Sequence, residues 1–120
     1  MRDRTVLVLE LIQNPKAVGS ILQELAEYGW ECEKHLAEVT KVDILAALKQ
    51  FDQGILSAAE VEAWAAGLEG RMDVCFEFGA EGVVEEAIFC LANPSIFKPI
   101  TEGTHQRIAS LFERRKARRD

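Results

Sequence analysis

The sequence predicts a predominantly α-helical fold: a single domain over residues 1–120, a compact bundle of about five or six short helices with room for one short two-stranded β element. Capping signals recur ahead of apolar runs with helical spacing, whereas only the stretch from Arg71 to Phe78 alternates with the strand period of two. The composition agrees, since 48% hydrophobic residues with only three Pro and eight Gly keep the chain far from the disordered regime. A domain of this size buries roughly two-thirds of the surface of its unfolded chain, so its stability requires no disulfide.

The chain starts with Met1–Arg4 and the apolar run Val6–Ile12, a charged leader in outline. Glu10 interrupts the run and no small-residue cleavage site follows, so the segment belongs to the fold. It reads as a short buried helix over Thr5–Gln13, ending ahead of Pro15, or as a strand pairing 5–9 with 73–78. The helix breaks no pairing rule. Asn14 and Pro15 then offer an N-cap oxygen and a preset φ, and Val18, Ile21, Leu22 and Leu25 follow at helical spacing up to the stop at Gly29.

Thr40–Asp43 forms a variant capping box for a helix that turns Ile44, Leu45, Leu48 and Phe51 inward and exits at Gly54. Ser57-Ala58-Ala59-Glu60 is the clearest start signal, since the hydroxyl can cap the amide three residues on while Glu60 reaches back. Val61, Trp64, Ala65 and Leu68 form its inner face; Ala59, Ala63, Ala66 and Gly67 leave a small-residue flank that admits a second helix or merely reflects alanine's helix propensity. After Gly70, Arg71 and Asp73 are placed to pair across the turn. Glu81–Ala92 is helical, with Val84, Ala87, Ile88 and Leu91 inward and acids at its positive end, and Asn93-Pro94 ends it. Ile96 and Phe97 are expected to fold back on the core before Thr101 caps a last helix carrying Ile108, Leu111 and Phe112, whose basic end runs from Arg114 to Arg119.

Charge is the main functional signal. Residues 24–86 hold fifteen Asp and Glu against four Lys and Arg, a local net of −11 in a chain of net −6. Such a field favours a basic protein partner and disfavours bare nucleic acid: the five cations from Arg114 to Arg119 could neutralise a few phosphates, but the acidic body opposes the approach of a polyanion. No stretch approaches the eighteen or so apolar residues of a membrane span. The odd cysteine count (Cys32, Cys75, Cys90) and the lack of an export signal point to free thiols and a cytoplasmic location.

No motif names a reaction. Cys32 and His35 stand three apart, but Cys75, Cys90 and His105 complete no metal-ligand spacing, so neither metal nor cofactor is expected. A phosphate loop, a nucleophile elbow and a calcium loop are likewise missing from the sequence, and the chain is expected not to be an enzyme.

The run LSAAEVEAWAAGLEGRMDV from Leu56 to Val74, followed by FCLANP from Phe89 to Pro94, resembles a group of small uncharacterised bacterial proteins. The resemblance covers about two-thirds of the chain and implies a bacterial, intracellular, stand-alone domain without assigning a catalytic residue. Size, acidity and helical make-up are also similar in type to immunity proteins that neutralise bacterial toxins. On that pattern an acidic surface would steer the chain to a basic, nuclease-like toxin, with Glu31, Glu33, Glu62, Glu69 and Asp73 as the acids and Trp30 as a buried anchor. The alternative is a homo-oligomeric structural or regulatory module, such as a homodimer paired through the small-residue flank of the Ser57 helix or through the basic tail.

Overall fold

Local signals set most of the helix boundaries in the computed structural model, which describes residues 3–28 and 34–118. Asp3 caps the first helix, α1 (Arg4–Gln13), by accepting from the Thr5 amide. A 3₁₀ turn at Pro15–Ala17 leads into α2 (Val18–Leu25). Asn14 makes no side-chain cap there: its amide closes α1 on the Glu10 carbonyl, and α2 starts only after the turn. Thr40 and Asp43 form a complete capping box for α3 (Lys41–Asp52), as do Ser57 and Glu60 for α4 (Ala58–Leu68). Gly54, the exit expected after α3, and Gly70, just past α4, both take φ 78°, a left-handed conformation that a side chain would strain. The fifth helix, α5 (Glu81–Ala92), has the expected bounds. The last, α6 (Thr104–Arg118), begins after the Thr101 cap position: Thr101–Thr104 closes a turn, and the Thr104 hydroxyl accepts from the Thr101 amide instead.

The β element is present with a different partner. Residues 5–9 are helical, and the strand after Arg71, β2 (Val74–Phe76), pairs in parallel with β1 (Ala37–Val39), Ala37 opposite Val74 and Val39 opposite Phe76. A parallel pair needs a long crossover, which α3 and α4 supply. Alternation could not reveal this pairing, because β1 is only three residues long, and one apolar-polar-apolar step is too short to stand out as a strand.

One apolar core joins the helices. Leu7, Val8 and Leu11 from α1 meet Ile21 and Leu25 of α2, Ile44 and Leu48 of α3, Val61, Trp64 and Leu68 of α4, Val84, Ile88 and Leu91 of α5, and Ile108 of α6. Gly67 is where α4 comes close to α2, since a Cβ there would meet Leu22 Cδ1 at 3.0 Å. Ala59, Ala63 and Ala66, the rest of that flank, are exposed. Ile96 and Phe97 do not fold back: they are 69% and 44% exposed, and Ile100 is the buried residue of that connection.

Trp64 resolves a problem created at the end of α1. The Leu11 carbonyl would normally accept from the amide four residues on, but residue 15 is proline and has none. The Trp64 Nε1–H, fully buried, fills that place at 2.8 Å. Burial of the indole thus also satisfies a carbonyl that the chain's own helix cannot.

Candidate functional site

Asp73 is the hub of the interior and is removed from the surface by that role. Its carboxylate accepts from Arg71 Nε at 2.8 Å, from a second Arg71 nitrogen at 3.0 Å and from Arg4 Nε at 2.9 Å. Its carbonyl accepts from the Leu36 amide at 2.7 Å, just ahead of β1. Arg4 also lies over the Tyr28 ring, 5.8 Å from its centre. Asp73 and Arg4 together therefore tie the start of α1, the turn after α2, the entry to β1 and the turn after α4. Burial alone would raise the Asp73 carboxyl's pKa, but the hydrogen bonds and charges of Arg71 and Arg4 outweigh it and hold the pKa below the usual carboxylate value. The Arg71–Asp73 pair expected from the sequence is present, whereas Asp73 as a partner-binding acid is corrected: its side chain is 0% exposed.

Many other acids of the central segment spend their oxygens on the fold. Asp43 and Glu60 complete capping boxes, and Glu60 also pairs with Lys16 at 3.1 Å. The Ser57 amide, foremost, and then Lys16 lower the Glu60 pKa. Glu77 accepts from the Lys41 amide at 2.8 Å and so satisfies the start of α3; Glu38 accepts from the Phe78 amide at 2.8 Å, and Glu81 from that of Gly79 at 3.1 Å. Asp52 meets His105 Nδ1 at 2.6 Å and joins α3 to α6. Local sequence predicted the capping boxes but not the long-range acceptors, whose partners are 36 to 53 residues away.

Glu69, Glu85 and Glu86 behave differently. They line one cleft of about 510 Å³, between the turn Glu69–Arg71 and the outer stripe of α5, with Phe76, Ile88 and Phe89 as its apolar lining. Gly82, Glu85, Glu86 and Phe89 share that stripe because they fall at i, i+3, i+4 and i+7. Glu69 has a weak contact from Asn93 Nδ2 at 3.5 Å, and no described cation is in an ion pair with any of the three. Of the residues expected at a binding surface, the structure brings only Glu69 here. Glu62 is exposed on α4 away from the cleft lining, and Trp30, Glu31 and Glu33 lie outside the described residues. Glu85, Glu86 and Phe89 were missed, although an aromatic on the polar stripe of an amphipathic helix was their signal.

A second cleft, of about 550 Å³, shares Phe76 with the first and is lined also by His35, Glu38, Cys75, Phe78 and Glu81. Burial and then the charge of Glu38 raise the pKa of the Cys75 thiol, which stays protonated and lies 3.7 Å from the Ala37 carbonyl. Cys90 is raised in the same way, by burial and then by Glu86. Neither thiol is activated as a nucleophile. Among the described residues no three His, Cys, Asp or Glu gather in an arrangement able to hold a metal ion. Among them, too, no helix is long and apolar enough to cross a membrane.

The first cleft can therefore hold cations: carboxylates to receive ammonium or guanidinium groups, and Phe76 and Phe89 to pack against their aliphatic stems. No protein-family model, curated protein or solved structure matches this chain.

Proposed function

We propose that the chain is a non-enzymatic binding module that holds a basic segment of a partner protein in the cleft between the Glu69–Arg71 turn and α5. The observation that carries this reading is the convergence of Glu69, Glu85 and Glu86, without a described cation in an ion pair, around the half-exposed Phe89. Like charges brought together at a cleft raise the local concentration of cationic partners and speed their encounter, and the aromatic supplies desolvated contact once they arrive. An immunity-type inhibitor of a basic, nuclease-like toxin is the form of this function that best fits the acidic balance of the chain. Affinity capture from the native host tests it. Wild type should retain a basic protein that high salt releases, and the double reversal Glu85→Lys/Glu86→Lys should lose it. Equal capture by the variant removes the cleft from the function.

A second reading has its own observation. Phe89 and Phe97 stack edge to face, ring centres 5.2 Å apart, beside the exposed Ile96. This apolar patch supports a homo-oligomeric module in which a second copy covers it. Sizing chromatography across concentration distinguishes the two: a stable dimer that Phe97→Ser dissociates favours the module, and a monomer at all concentrations favours the cleft.

A further inference from the structure

We infer that the basic segment docks as a third β-strand, adding to the edge of β2 that faces away from β1; this rests on the cationic-partner reading above and specifies how the partner is held. Peptide groups of successive residues in a strand point to opposite edges. In and beside β2 the Asp73 carbonyl accepts from Leu36 and the Glu77 amide donates to the Val39 carbonyl at 2.9 Å, so the odd-numbered peptide groups face β1. Those of Val74 and Phe76 therefore face the opposite way, and no described residue bonds them from outside the sheet. Phe76 also lines the acid-rimmed cleft, with the Glu69–Arg71 turn before it and the Gly82, Glu85, Glu86 and Phe89 stripe after it.

The two features complement each other. An unsatisfied strand edge recruits any extended chain, and its main-chain bonds supply affinity without reading sequence. Carboxylates at the same cleft restrict that choice to segments with Lys or Arg on the face turned toward them. A parallel pair of three-residue strands is also a minimal sheet, which a third strand would extend. A docked helix would satisfy the carboxylates but leave the Phe76 peptide group unbonded.

The probe is an end-blocked, eight-residue peptide of alternating Lys and Val, together with two N-methylated versions, one blocked at every Lys amide and the other at every Val amide. In an added strand the Lys side chains share one face and the Lys amides share one edge, so only one set of amides points at β2. One methylated peptide should bind like the parent, and the other should weaken by about fivefold for each hydrogen bond lost. Amide exchange at Val74 and Phe76 should slow by at least about tenfold on binding, while that of Glu77, already bonded to β1, should not change. If both methylated peptides bind like the parent, or both weaken alike, or the two exchange rates do not move, strand addition is overturned. The cleft reading survives those results provided Glu85→Lys/Glu86→Lys still abolishes binding of the parent peptide. No binding of the parent peptide at low salt overturns both.

Discussion

Asp73 and Glu69 stand four residues apart on either side of the same turn, and the fold treats their charges in opposite ways. Asp73 is sealed from solvent and meets two arginines in short, directed bonds, one of them from the far end of the chain. Glu69 stays at the surface and joins Glu85 and Glu86 around a cleft in which no described cation is in an ion pair with them. A buried charge without a partner costs several kcal/mol, so the interior admits only a matched one, whereas water tolerates an unmatched charge at the rim and leaves it available to a partner. Asp73 serves the fold from the interior, whereas the rim acids carry the binding role proposed above.

The largest expected effect comes from removing the match inside. Asp73→Asn keeps the shape but leaves Arg4 and Arg71 without their shared counter-charge, and should cost about 3–5 kcal/mol of stability in urea unfolding. A loss below about 1 kcal/mol would mean that the two pairs contribute no more than surface ones. The same group sets a pH dependence. Its folded pKa is depressed, so its contribution is complete above the unfolded value of 3.8 and is lost as pH falls through the folded one. Thermal unfolding followed from pH 6 down to 2 should steepen below about 4 in the wild type, and Asp73→Asn should flatten that limb.

Trp64→Phe tests the interior's other matched group. It orphans the Leu11 carbonyl, which Pro15 cannot serve, and should cost about 2–3 kcal/mol, more than the lost ring volume explains if the hydrogen bond matters. The smallest effect belongs to the rim. Glu85→Gln/Glu86→Gln should change stability by no more than about 0.5 kcal/mol, with any gain confined to low salt where like charges repel. A loss of more than about 1 kcal/mol would show that these acids also serve the fold, and the contrast with Asp73 would disappear.

Helix starts were legible because their signals are local. Both capping boxes, the glycine exit after α3, the bounds of α5 and the inner face of α4 depend on residues within a turn of one another, where spacing alone determines contact. Asn14 misled because a side chain suited to capping does so only if a helix starts next to it, and here a 3₁₀ turn intervenes. Ile96 and Phe97 stay outside the core because large apolar side chains also remain at surfaces, so apolarity alone does not predict burial. The proposed binding surface was legible only as an excess of negative charge. Which acids would be spent on caps, pairs and amides, and which would converge, depended on helices packed far apart in the chain.

The amino-acid order alone specified a mainly helical chain, most of its helix starts and an acidic middle, since each follows from near neighbours or simple counting. Assembly in three dimensions selected the partner of β2, buried Asp73 between two arginines, gave Trp64 to the Leu11 carbonyl and brought Glu69 to the α5 stripe. The difference is one of range: capping acts across one helical turn, whereas desolvation and ion pairing act between surfaces that meet only after the core has closed.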